Sequence, residues 1–230
     1  MKRFGLYIAI FTAFVLVVSC KKNQLKKPTE VSVYMDINRD VNDDASLVFT
    51  SGFLILEEFE MEGTRQEGAP VKMKREYPTG YRVDFTNSMP VNDLILDIPQ
   101  GNYTELEISF DTYKEDGMVN LYVMGVYTNG ASLSYPVVYE FKDKEKWKIK
   151  SESDSNGDLI VLDKNKPADS FIELDPQYWF DTVSSSQWDA ADLTLVEGVE
   201  TILVNEDVNS TIYNIVTDRI DETSMATFVD

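Results

Sequence analysis

Apolar and polar residues alternate with a period of two through most of this chain, and the period changes to three and four near its end. Val31, Val33 and Met35 alternate with Ser32, Tyr34 and Asp36, the pattern of a strand with one buried face. Residues 47–61 form a long apolar segment with Phe49, Phe53, Ile55 and Phe59 on one parity. Residues 70–77 and 80–86 read as two strands with a turn at Pro78-Thr79-Gly80 between them. Residues 93–98 carry Leu94, Leu96 and Ile98 on one face. In residues 103–112, Leu106, Ile108 and Phe110 face one way and Glu105, Glu107, Ser109 and Asp111 the other. A wet face of this kind points to an antiparallel sheet. Residues 118–128 and 131–141 flank Asn129-Gly130, and residues 147–151 and 159–162 flank Asn156-Gly157. Asn-Gly between β-rich runs predicts a hairpin, because both residues tolerate positive φ. Nine or ten strands without intervening helices predict a mainly β fold. The natural packing is an antiparallel β-sandwich, immunoglobulin- or transthyretin-like, over residues 31–165.

The pattern changes after about residue 165. Asp175-Pro176 opens a short helix carrying Tyr178, Trp179 and Phe180. Ser185 or Ser186 caps a second through Trp188 and Leu193. Residues 201–204 form a brief strand. After Asn209, Ile212, Ile215, Val216 and Ile220 recur at helical spacing. Residues 166–230 therefore read as a small mixed α/β appendage packed on the sandwich.

The N-terminus has its own signature. Lys2 and Arg3 precede an apolar run, residues 4–18, which ends in Val17-Val18-Ser19-Cys20. The run is short for a bilayer-spanning helix. A bulky aliphatic, a small residue and then cysteine resembles a bacterial lipoprotein signal. The resemblance implies removal of residues 1–19, lipidation of Cys20, and a polar tether over residues 20–30 that includes Lys21, Lys22, Lys26, Lys27 and Pro28. An ordinary secretory signal with a chance cysteine, and an uncleaved anchor, explain the same run. Lys21 stands where enterobacterial inner-membrane retention looks for aspartate, which implies the outer membrane, facing the periplasm or the cell surface.

Composition narrows the chemistry. With 43% hydrophobic residues, 12 Phe, 12 Tyr and 3 Trp, the chain can build a core. Its formal net charge is −19; without Lys2 and Arg3, 19 basic residues face 40 acidic ones, or −21. That balance argues against nucleic acid and against electrostatic docking on anionic lipid, so membrane attachment falls to the lipid anchor. The chain has no histidine, which excludes Ser-His-Asp and Cys-His catalysis and histidine metal sites. Its one cysteine is Cys20, so lipidation leaves no thiolate chemistry.

Three stretches together resemble the uncharacterised β-sandwich cell-envelope lipoproteins of Bacteroidota. They are residues 31–61 with their core Thr50-Ser-Gly-Phe-Leu-Ile-Leu56; Asp97-Ile-Pro-Gln-Gly-Asn-Tyr-Thr-Glu-Leu106; and the ending with Asp175-Pro-Gln-Tyr-Trp-Phe180 and Asn209-Ser-Thr-Ile-Tyr-Asn-Ile215. The likeness implies architecture and an envelope location, and carries over no catalytic residue. In the middle phrase, Pro99 to Gly101 makes a turn and Tyr103 opens a strand.

Four constellations are candidates for chemistry. Asp36, Asn38, Asp40 and Asp44 place oxygens at alternate positions of a loop, as Ca²⁺ sites do. The EF-type pattern is broken by Val41 at position 6 and Leu47 at position 12, and a solvated acidic loop explains the same residues. Asp154, Asn156 and Asp158, with Asp163 beyond, repeat the pattern inside an expected hairpin. Trp147, Tyr178, Trp179 and Trp188 are candidates for stacking on a sugar, with core packing as the competing account. Glu57, Glu58, Glu60, Glu105, Glu107 and Asp111 offer carboxylates, which a glycosidase would hold ~5–9 Å apart; the wet face of a sheet predicts the same residues. The reading that follows is a non-enzymatic binding or structural module on a membrane tether, needing no cofactor unless Ca²⁺, with a glycan or an envelope protein as partner. The alternative is a carboxylate-dependent glycan hydrolase.

Overall fold

A computed structural model of the chain describes residues 26–41, 46–86, 88–154, 159–222 and 224–229. Cys20, Asp44, Asn156, Gly157 and Asp158 lie outside the described residues, and with them the lipidation site, one member of the candidate Ca²⁺ loop and the second Asn-Gly turn. The strands are β1 (Pro28–Ile37), β2 (Leu47–Arg65), β3 (Val71–Asp84), β4 (Ile95–Pro99), β5 (Gly101–Thr112), β6 (Leu121–Thr128), β7 (Ser134–Phe141), β8 (Lys146–Ser153), β9 (Ile160–Leu162), β10 (Ala168–Leu174), β11 (Leu193–Val196), β12 (Val199–Val204) and β13 (Met225–Val229). Three short helices, α1 (Pro176–Phe180), α2 (Ser185–Asp189) and α3 (Ser210–Thr217), fall between β10 and β13. No helix among the described residues is long and apolar enough to cross a membrane.

The protein is mainly β, and its sheet is mixed. The hydrogen-bonded order is β11-β12-β7-β6-β2-β5-β8-β13-β10-β1-β4, with β3 on the other edge of β2 and β9 beside β5. The expectation of an antiparallel sheet is corrected at three places: β1 with β10, β12 with β7, and β13 with β8 run parallel. Each of these pairs joins an early strand to one from residues 166–230. Hairpins cannot make parallel pairs, whereas long connections containing helices can. Alternation within one strand records which face is wet and is silent on the direction of its neighbours. The C-terminal region is therefore woven into the sheet: β10 lies between β1 and β13. Met35 of β1 also bridges to Thr86, just past β3. The path β3-β2-β5-β8-β13-β10-β1 thus returns to its start around a common core.

Strand β2 is the longest element, and its buried positions change parity twice. Leu47 and Phe49 are buried, then Leu54 and Leu56, then Phe59 and Met61. Register shifts between Phe49 and Ser51 and between Leu56 and Glu58 cause both changes, since an extra residue in a ladder flips every later side chain. Phe53 and Ile55 consequently leave the face they were expected to share with Phe49. Phe53 instead stacks on Tyr122, with ring centroids 5.3 Å apart, under the Arg82 guanidinium at 3.6 Å. The second shift also absorbs Pro78 and Gly80, so residues 71–84 form one strand, not two around a turn. Beyond β2, strand β3 has no further neighbour in the sheet order, and an edge is where proline is tolerated.

Strands β6 and β7 pair antiparallel as the hairpin expected around Asn129-Gly130, but the turn is differently made, and among the described residues the second expected hairpin is absent. Asn129 Oδ1 accepts from the backbone amides of Ala131 and Leu133, and the positive φ falls at Ser132, not at Gly130. Strands β8 and β9 do not pair with each other. Both lie along β5, β8 beside residues 107–111 and β9 beside residues 101–103. The cap of α1 is the expected one, whereas the cap of α2 falls at Ser184, ahead of the expected Ser185 or Ser186, and α2 ends at Asp189, with Leu193 opening β11. Asp175 accepts from the Tyr178 amide at the start of α1, and Ser184 forms a capping box with Gln187 at the start of α2.

Candidate functional site

The acidic segment after β1 is organised by a cation of its own. Arg39 Nη1 donates to Asp36 Oδ2 at 2.5 Å, and the Ile37 amide donates to Asp36 Oδ1 at 2.8 Å. Arg39 also donates to the carbonyls of Thr50 and Phe85, tying the segment across β2 and the end of β3. Asn38 Oδ1 accepts from the Asp40 amide, and its Nδ2 donates to Asp175. Glu173 lies close by. Its carboxyl is held above the usual carboxylate range, first by burial and then by the carboxylates of Asp175, Asp36 and Asp40. Asp36, Asn38 and Asp40 are thus brought together with Arg39, Glu173 and Asp175. Among the described residues, no group of three or more acidic side chains has the arrangement of a metal site.

The aromatic candidates sit inside the protein. Trp147 and Trp179 are fully buried and Trp188 is 4% exposed. Trp147 stacks on Phe110 at 5.1 Å and donates its indole N–H to the Ile220 carbonyl at 2.7 Å. Trp188 lies between Tyr127 and Phe180, which in turn meets Phe49 and Tyr139. These rings fasten α1 and α2 to the sheet. The half-buried Tyr178 carries the Arg219 guanidinium over its face at 4.2 Å, and Arg219 also pairs with Asp181 and Glu222. The four residues therefore do not form one open stacking platform.

The carboxylates of β2 and β5 share a face with the lysines of β3 and β8. Across the ladder, Glu62 and Glu60 lie opposite Lys72 and Lys74, and Asp111 and Glu107 lie opposite Lys146 and Lys150. Lys72 bridges Glu60 and Glu62, Lys74 bridges Glu58 and Glu76, and Lys148 reaches Glu107. Asp111 is shared by Lys144 and Lys146, and Lys144 also pairs with Glu57. Hydrogen bonds from these lysines hold the carboxyls of Glu62 and Glu76 below their ordinary value and keep Lys72, Lys74 and Lys148 more basic than usual. A groove of about 450 Å³ crosses this face, lined by Glu62, Thr64, Val71, Lys72, Glu105 and Lys148 among others. Alternation in the sequence had marked the acids; the matching lysines on the flanking strands emerge only once β3 and β8 are placed.

The phrase around Tyr103 is a structural device. Its buried phenol donates to the Pro99 carbonyl at 2.6 Å, closing the turn that Gly101 makes with φ +152°. Burial pushes that phenol's pKa up to about 12. A second polar device sits where β5 gives way to β6 along the edge of β2. There Asn120, fully buried, donates to the carbonyls of Tyr113 and Asp143, and Thr112 exchanges hydrogen bonds with Glu145. No protein-family model, curated protein or solved structure matches the chain.

Proposed function

We propose that this protein is a lipoprotein of the bacterial outer membrane that acts without catalysis, as a binding or structural module of the cell envelope. The observation that carries this reading is the N-terminal series of Lys2-Arg3, the apolar residues 4–18 and Val17-Val18-Ser19-Cys20. The start of β1 at Pro28 supports it. Seven residues, 21–27, then separate the lipidated cysteine from the sheet, a tether that spans at most ~29 Å when fully extended. In the same reading the curved sheet is a β-sandwich. Strands β1, β4, β10 and β13 form one layer and β2, β3, β5, β6 and β7 the other. Strand β8 supports this division, because its residues 146–150 pair with β5 and 151–153 with β13.

The ion-paired ladder supports a non-catalytic role. A glycosidase needs one carboxyl held protonated beside a second that is ionised, and in the ladder Lys72 and Lys74 favour the ionised forms of Glu62 and Glu76. Mass spectrometry of the protein from its native membrane tests the anchor: a diacylglyceryl-modified N-terminal cysteine at position 20 is expected, and an unmodified chain that retains Met1 overturns it. Glycoside, ester and peptide substrates test the absence of catalysis. Turnover that disappears in Glu173→Gln, with the fold intact, would establish the hydrolase instead.

A further inference from the structure

Strand β13 comes last in chain order, yet it sits within the sheet and closes the gap between β8 and β10. It runs antiparallel to β10 over residues 225–229 and parallel to β8 over residues 226–228. Ala226 and Phe228 face the core, while Met225 and Val229 face outward. The chain leading to it is fixed without its help. Arg219 is pinned to Asp181, Thr182 and Glu222, and the buried Ile220 receives the indole N–H of Trp147 through its carbonyl. Only two residues separate Glu222 from Met225. The strand can therefore leave its place while everything up to Glu222 keeps its contacts.

The slot holds β13 with polar groups left over. Ser151 pairs with Ala226 and Ser170 pairs with Phe228, both hydroxyls facing inward; Ser224 immediately precedes the strand. All three hydroxyl oxygens are buried and find no hydrogen-bond partner among the described residues. Burying such groups unpaired is costly, and here the cost falls along one lane of the sheet. Removing β13 would expose paired edges on β8 and β10, a template for an incoming strand.

We propose that the slot between β8 and β10 accepts residues 225–229 of a second copy of this chain, so that copies associate by exchanging β13. The occupant follows from the structure: the segment seated in the slot is the one whose apolar and outward positions fit it, and a second copy carries the same segment. Exchange preserves every ladder bond and core contact of β13, so its net cost is confined to opening and association. The proposal does not depend on the lipid anchor.

The test uses two variants in a Cys20→Ser chain, which has no other cysteine. One carries Asp169→Cys on β10 and the other Val229→Cys on β13, positions that face each other in the ladder. A disulfide between the two chains requires β13 of one copy to lie beside β10 of the other. The mixture is concentrated, incubated in denaturant just below the unfolding midpoint, returned to buffer and oxidised. A cross-linked heterodimer is expected in about tenfold excess over a control that pairs Val229→Cys with Lys72→Cys on the distant ladder face. Excess synthetic peptide spanning residues 224–229 should abolish it. In parallel, the Cys20→Ser chain without added cysteines should sediment as a dimer whose fraction rises with concentration. Heterodimer no greater than the control, or a chain that remains monomeric after the same treatment, overturns the proposal.

Discussion

Gly63 and Tyr103 make a close contact whose energy can be worked from the structure. A Cβ added at Gly63 would lie 2.5 Å from Tyr103 Cε1 and 2.6 Å from Cδ1. The ring has little freedom to move, because it is buried and its phenol is tied to the Pro99 carbonyl at 2.6 Å. Gly63→Ala should therefore destabilise the protein by ~2 kcal/mol: overpacking costs ~1–3 kcal/mol, less the ~0.5 kcal/mol or so that alanine regains over glycine in a strand. Tyr103→Phe removes the hydrogen bond and leaves a part-buried carbonyl without this donor, at ~1–2 kcal/mol. It also frees the ring to shift away from position 63. The two changes should then be coupled, with the double variant more stable than the sum of the singles predicts by ~1 kcal/mol. Urea unfolding followed by tryptophan fluorescence, at unchanged denaturant slope, measures all four stabilities. A neutral Gly63→Ala, or strict additivity with Tyr103→Phe, would show that the phenol does not hold the ring and would refute the reasoning.

Other outcomes follow from single groups. Phe110→Ala should cost ~3–5 kcal/mol through lost transfer energy and the cavity beside Trp147, whereas Glu107→Ala, which breaks an exposed pair with Lys148, should cost under ~1 kcal/mol in the same denaturation assay. Trp147→Phe should lose ~1–3 kcal/mol, because the Ile220 carbonyl keeps its burial and loses its donor. Glu173 binds its proton more tightly folded than unfolded, so its contribution is fully present below its ordinary value of 4.5 and is lost as pH rises through the folded pKa. Glu173→Gln should accordingly raise the melting temperature at pH 7 and lose that advantage below pH 4.5. Tyr103 behaves alike at alkaline pH: wild type should lose stability between pH 10 and about 12, and the corresponding step should be absent from Tyr103→Phe.

What the sequence disclosed depended on the range of the interaction. The alternation of Leu106, Ile108 and Phe110 with Glu105, Glu107 and Asp111 predicted one buried and one wet face, and all three apolar residues are fully buried. The helices at Asp175-Pro176 and after Asn209 were equally legible, since caps and spacing are local signals. The parity of β2 was not, because its bulges answer to the strands on either side: β6 and β5 take turns along one edge of it. Strand direction was hidden for a similar reason. The parallel partners of β1, β7 and β8 lie between about 65 and 140 residues away. At the candidate sites, the sequence displayed the acids after β1 but not that Arg39 occupies Asp36, and displayed four aromatic residues but not that three are buried. Type and spacing do not reveal which face of a ring or which oxygen of a carboxylate is already covered.

The ladder across β3, β2, β5 and β8 also shapes the field outside the molecule. Glu57, Glu58, Glu60, Glu62, Glu76, Glu105, Glu107 and Asp111 face Lys72, Lys74, Lys144, Lys146, Lys148 and Lys150. Eight carboxylates against six lysines leave this face at −2, so most of the formal −19 lies elsewhere on the surface. The protein is therefore an electric dipole as well as an anion. A negatively charged neighbour, whether a bilayer or another acidic protein, will be turned toward the ladder face during diffusional approach and repelled from the others. The bias will act over roughly the Debye length, about 8 Å at physiological ionic strength, and fade as salt is added. A small cation will distribute the opposite way, collecting over the surfaces that the lysines leave uncompensated.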